Sequence, residues 1–140
     1  MNTIVVKFGG TSLASAAQIR KAADIILADP SRRFVVASAP GKRTGDDVKV
    51  TDLLYRCCAE AQEGTTYADT LAQIEARFSE IIADLGVDFD IHTEIEILRA
   101  HLASAPDRDY MASRGEYLNA RIIASFLNRP FVDPAENIFF

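Results

Sequence analysis

"IVVKFGGTSL", residues 4–13, decides how this chain is read. Ile4, Val5 and Val6 give a strand with no polar face, and a continuous apolar run of this kind suits a parallel strand covered on both sides. Lys7 interrupts the run. Gly9 and Gly10 then dispense with side chains, and Thr11 and Ser12 supply hydroxyls just before a helical pattern starts. In an open parallel sheet, ligands bind outside the carboxyl ends of the strands. A fixed cation there, glycines that let backbone N–H groups approach, and a helix start that favours negative charge together describe a phosphate site. The competing reading is a tight strand-to-helix turn with a solvated lysine. The spacing is not a Walker loop, because GxxxxGK[ST] is absent and the lysine precedes the glycines. Nor is it a dinucleotide fingerprint, because GxGxxG is absent and the second strand ends in Ser38-Ala39-Pro40 without an acid for a ribose.

Outward from this stretch, residues 15–29 read as a helix, with Ile19, Ala22, Ala23, Ile26 and Leu27 at helical spacing. Ser12 or Ser15 is placed to cap it and Pro30 follows its end. "RFVVASAP", 33–40, is a second apolar strand, so the opening is a βαβ unit with a parallel sheet and a right-handed crossover. "PGKRTGDDVKV", 40–50, reads as an exposed, mobile loop. Thr51 is expected to cap the helix "TDLLYRCCAEAQE", with Asp52 in its first turn. Residues 66–85 form a further helix on the stripe Leu71, Ile74, Phe78, Ile81, Ile82 and Leu85, stopped by Gly86. Two more helices follow at 90–103 and 109–127, and the stretch from Pro130 starts as a short strand. Its apolar ending, "NIFF", and the raw edges of so few strands suggest a chain cut from something longer.

The 140 residues carry a net charge of −5, with a pI near 5.0 and 49% hydrophobic residues. A basic stripe is lacking, which argues against nucleic-acid binding. Apolar runs of the about 18 residues needed for a membrane span do not occur, and the start lacks the features of a signal peptide. Cys57 and Cys58 are adjacent within a helical pattern and read as small apolar residues in a reducing cytoplasm. His92 and His101 have no neighbours at metal-ligand spacing, so no protein-held metal is expected.

"KFGGTS", "VVASAPGKR…KVTDLL" and "SRGEYLNARIIASFL" together resemble the aspartate kinase (aspartokinase) family, within the amino-acid kinase superfamily. The resemblance runs through nearly the whole chain, to "FVDPAENI", and the long 40–50 loop is similar to that of the single-function members. It implies an α/β fold, a three-layer αβα sandwich, present here only as its N-terminal, substrate-binding part over residues 1–140. The nucleotide-binding half and the regulatory domains would then lie elsewhere. It also implies phosphoryl transfer from ATP to the side-chain carboxylate of L-aspartate, the first step toward lysine, threonine and methionine, with Mg2+ carried by ATP. By motif match, Lys7 contacts the phosphates and is the catalytic cation. Phe8, Gly9, Gly10 and Thr11 form the phosphate turn, and Ser38, Thr51 and Glu116 face aspartate. The resemblance further implies a cytoplasmic homo-oligomer for the longer protein and no activity for this piece alone. Two alternatives stay open: a kinase of another acceptor, and a short non-catalytic amino-acid or anion-binding module.

Some candidates can be weighed without the family. On a helix, Ala112, Glu116, Ala120, Ile123 and Leu127 share one stripe, which should face the core. A carboxylate there needs a cation or donors, either a substrate ammonium or an internal partner such as Arg114 or Arg121. Thr51 is explained equally well as a helix cap, and Ser38 as a small residue at a strand end. Lys42, Arg43 and Lys49 read as solvated loop charges. Tyr55 and Tyr67 read as packing residues. Phosphoryl transfer is mainly positioning and charge neutralisation, and a carboxylate acceptor is already ionised at neutral pH, so no general base is required.

Overall fold

The structure, a computed structural model, describes residues 2–139. Phe140, part of the apolar ending, lies outside them. Its elements are β1 (Ile4–Phe8), a 3-10 turn (Thr11–Leu13), α1 (Ala16–Leu27), β2 (Arg32–Ala37), α2 (Val50–Gln62), α3 (Ala68–Leu85), α4 (Ile91–Ser104), α5 (Arg108–Leu127) and a short α6 (Pro134–Asn137). β1 and β2 pair in parallel, with Val5 opposite Phe34, Lys7 opposite Val36 and Phe8 opposite Ala37. This is the βαβ unit that the opening sequence predicts.

The α1 and α3 stripes are largely buried as expected, except that Leu27 at the end of α1 is 59% exposed. Leu71, Ile74, Phe78, Ile81 and Leu85 of α3 are buried, and Gly86 ends the helix in the left-handed conformation at φ 69°, where a side chain is disfavoured. Ser15, not Ser12, caps α1 through the N–H of Gln18. α2 packs on α3 and α5, and α1 and α4 pack on α3. Together they enclose one core that includes Leu13, Ile19, Leu54, Phe78, Ile95, Met111 and Leu118. The thiols of Cys57 and Cys58 are free and buried there, and burial pushes the Cys57 thiol up to about 12.

Four expectations are corrected. The strands are not covered on both faces: Val5 is 63% exposed, Phe34 55% and Val36 48%, whereas Phe8 and Ala37 pack against the core. An apolar run records that a strand is made to be covered, not that the cover lies within these residues. Thr51 does not cap α2, because the helix already starts at Val50 and Lys49 occupies the cap position without a side-chain bond. Residues 130–133 form no strand. Asp133 instead accepts from the N–H of Ala135 and starts α6, with Pro134 in its first turn, where a missing N–H is harmless. Finally, loop 40–50 is tied down. Arg43 donates to both carboxylate oxygens of Asp47 and to Glu80, and Arg77 donates to the carbonyl oxygens of Gly41 and Val48.

Candidate functional site

β1 and β2 end side by side. The Ser38 N–H donates to Phe8 O at 3.2 Å, so the loops that leave the two strands start together. From Phe8, half-buried against the core, the chain turns through Gly9 and Gly10 into the 3-10 turn. Gly10 O points inward, accepting from the Leu13 N–H at 3.1 Å and the Gly41 N–H at 2.8 Å. The N–H groups of Gly9, Gly10, Thr11 and Ser12 meet no backbone acceptor among the described residues. They are the free donors expected at such a start. A Cβ at Gly9 would meet nothing within 4 Å, so open space adjoins this stretch of backbone. Lys7 is exposed and enters no ion pair among the described residues. A free cation next to free donors suits an anion.

The loop after β2 is pressed against this turn. A Cβ at Gly41 would lie 2.5 Å from Gly10 C, a contact that only glycine permits. The Val50 N–H donates to Pro40 O at 3.1 Å and so brings the first turn of α2, with Thr51, to the same loop. α5 reaches it from the other side. Asn119 Nδ2 donates to Ser38 O at 2.8 Å. A Cβ at Gly115 would lie 2.9 Å from Ala39 Cβ and 3.1 Å from Leu54 Cδ1, so a side chain there would push the helix away. Lys7 to Thr11, Ser38, Thr51 and the Gly115-Glu116 turn of α5 thus sit on four segments joined by direct backbone and side-chain contacts.

Glu116 departs from its expected setting. The core-facing residues of α5 include Met111, Gly115, Leu118, Asn119, Ile122 and Ile123, a stripe rotated by about one position from the one anticipated, and Glu116 is exposed. Neither proposed arginine pairs with it. Arg121 bonds Glu94 at 2.6 Å, and Arg114 stacks on the rings of Tyr110 and Tyr117. Glu116 instead lines a groove of about 760 Å³ between β2 and α5, together with Phe34, Val36, Tyr117, Ile123 and Phe131.

Several residues that organise the site were not singled out in the sequence. Arg77, 5% exposed, and Asn119, 0% exposed, are buried polar groups that bridge α3 and α5 to the loop after β2. The signal was present: Arg77 lies between Ile74 and Ile81 on the apolar stripe of α3, and Asn119 lies between Gly115 and Ile122. A polar residue on the core side of a helix has a partner to find. Arg43 beside Asp47 holds that carboxyl well below the usual carboxylate range, and burial lowers the pKa of Arg77. No group of three or more His, Cys, Asp or Glu able to hold a metal ion occurs among the described residues.

Residues 2–138 match the amino acid kinase family. The chain belongs to that family. It is 42% identical to aspartokinase 3 of Bacillus subtilis over 132 residues, which covers 87% of this chain and 28% of the relative. The backbone matches Clostridium acetobutylicum aspartate kinase with a TM-score of 0.91 at 43% identity, over 95% of this chain and 31% of that one. A solved structure of Escherichia coli aspartokinase III in complex with aspartate and ADP matches with a TM-score of 0.66 at 27% identity, over 91% of this chain and 29% of that one. This family member therefore spans less than a third of these relatives' length. Its fold is the α/β fold of the amino-acid kinases, and among its described residues no helix is long and apolar enough to cross a membrane.

Proposed function

We propose that these residues form the acceptor-binding and phosphate-facing part of an aspartate kinase, which transfers the terminal phosphoryl group of ATP to the side-chain carboxylate of L-aspartate. The observation that carries this reading is the pairing of free N–H donors at Gly9 to Ser12 with unpaired Lys7, in contact with the loop that starts at Ser38. It is supported by the relative solved with aspartate and ADP. Lys7 offsets negative charge on the transferred group, and the Phe8–Thr11 turn supplies backbone donors to the phosphates. Ser38 and Thr51 line the acceptor side. Glu116 projects into open space at the groove, where its carboxylate is free to meet the ammonium of aspartate. The nucleotide brings Mg2+ with it. In a longer cytoplasmic, homo-oligomeric protein, the remaining chain supplies the rest of the nucleotide site, and the 140 residues alone give no turnover.

Steady-state kinetics on the full gene product test this. Lys7→Ala is expected to lower kcat by about 10²–10³-fold, since a preorganised charge partner acts chiefly in the transition state. Glu116→Gln is expected to raise KM for aspartate at least about tenfold, about 1.4 kcal/mol, less than the about 2–5 kcal/mol lost when a buried charge pair is broken, because Glu116 is exposed. KM for ATP should hardly move. A parent protein that does not phosphorylate aspartate overturns the reading. An unchanged KM for aspartate in Glu116→Gln removes Glu116 from the acceptor site.

A further inference from the structure

A guanidinium lies beneath the site. Arg77 is 5% exposed on α3, and its fork reaches three backbone carbonyls, two at the ends of loop 41–48 and one beside the 3-10 turn. Nη2 donates to Gly41 O at 2.8 Å and to Ala14 O at 3.2 Å, just past the 3-10 turn, while Nη1 donates to Val48 O at 2.8 Å, two residues before α2. Asp47 Oδ2 lies 3.3 Å from Nη1 and also accepts from Arg43, which reaches on to Glu80. A buried cation is a poor device for stability alone, because an apolar residue of similar size often does as well or better. What an apolar residue cannot do is hold three carbonyls at fixed separations. Two of those three bracket the Gly10–Gly41 contact, where the loop after β2 meets the glycine turn.

We propose that Arg77 is a positioning residue that locks loop 41–48 onto the glycine turn and so fixes the phosphate-facing backbone relative to the acceptor-side loop. The inference rests on the kinase reading above. Arg77 touches no substrate; it acts through Gly41, Ala14 and Val48. Lysine at this place keeps the charge but presents a point donor, and it cannot span Gly41 O and Val48 O as the planar fork does. A misplacement of about 1 Å between reacting groups can cost about 10²-fold in rate, so slack in this lock should appear in kcat.

The test uses Arg77→Lys in the full gene product, with kinetics and amide exchange measured together. The bonded N–H groups of Leu13, Gly41 and Val50 report on the lock. Expected are faster exchange at these three, unchanged exchange in the middle of α5, a kcat at least about tenfold lower per folded molecule, and a KM for aspartate within about threefold of the parent. Gly41→Ala forces the same two segments apart from the opposite side, and its effect should not add to that of Arg77→Lys, as expected for a shared contact. If Arg77→Lys does not fold, Gly41→Ala alone must show this kinetic and exchange signature. An unchanged kcat, or additive effects of the two changes, overturns the proposal. So does unchanged exchange at the three reporters. If the parent does not phosphorylate aspartate, the kinase reading fails but the exchange measurement still decides whether the lock exists.

Discussion

The helical half and the strand half of this chain use the same apolar residues to opposite ends. Ile74, Phe78, Ile95 and Met111 are sealed at 0% exposure among the helices, whereas Val5, Phe34 and Val36 stand about half exposed or more on the sheet. The groove between β2 and α5 continues the uncovered side. A helix closes its own backbone hydrogen bonds and needs only a partner for its stripe, and α1 to α5 supply partners for each other. A two-stranded sheet leaves both edges open. The buried polar groups Arg77 and Asn119 sit at the boundary between the halves, where helices meet the loops leaving the strands.

The contrast can be tested most strongly from the helical side. Phe78→Ala removes a fully buried ring from the centre of the core and should cost about 3–5 kcal/mol, measured by denaturant unfolding of the 140-residue chain. A loss below about 1.5 kcal/mol would show that the helical half is loosely packed and the distinction between the halves false. Next in size is Gly115→Ala at the boundary. Its added methyl meets Ala39 Cβ at 2.9 Å and Leu54 Cδ1 at 3.1 Å, and overpacking of this kind costs about 1–3 kcal/mol. Because alanine favours a helix over glycine by about 1 kcal/mol, a net gain in stability would mean that α5 can slide and that its contact with Ser38-Ala39 is not fixed.

How far the sequence could be read follows the same division. The α3 stripe and its Gly86 stop were legible because periodicity and a left-handed glycine depend on local geometry alone. The glycine turn was legible because few reasons exist to end an apolar strand with lysine and two glycines. The side of α5 that Glu116 takes is not legible, because Ala112, Ala120 and Leu127 form nearly as good a stripe as Met111, Leu118 and Ile122, and the close approach at Gly115 belongs to the second. Thr51 resembled a cap, but a cap is set by where the preceding backbone turns, which Val50 and Pro40 decide through a bond ten residues apart. The cover of the sheet could not be read, because the strand pattern is the same whether or not its partners lie in these residues.

A smaller effect is expected where the loop is tied to the helices. Asp47 has a depressed folded-state pKa, owing first to its bonds from Arg43. The stabilisation from such a group is complete above the unfolded value near about 3.9 and is lost as pH falls toward the folded value. The melting temperature should therefore drop as pH is lowered below about 4. Asp47→Asn should lower it by a few degrees at neutral pH, about the worth of 1 kcal/mol in a domain of this size, and the gap to the parent should narrow in acid. Asp29 and Asp90 are also depressed, so the difference between the two proteins is the measurement, not the slope of either. A gap that widens in acid would reverse the sign and detach Asp47 from the loop.

The smallest effect should come from the open sheet face. Val5, the second residue of β1, is 63% exposed. Threonine there keeps the branched shape that strands favour and turns a hydroxyl toward water. With little apolar area to lose, Val5→Thr should change the stability of the 140-residue chain by no more than about 0.5 kcal/mol, as surface substitutions generally do. The same change at a sealed position would bury an unpaired hydroxyl and cost about 1–3 kcal/mol. The measurement is therefore a direct reading of whether this face meets water. If Val5→Thr costs more than about 1.5 kcal/mol, and the cost disappears on dilution, the face is covered in solution by a second copy of the chain. A cost independent of concentration would place the cover within the chain itself, and the contrast between sealed helices and open strands would no longer hold.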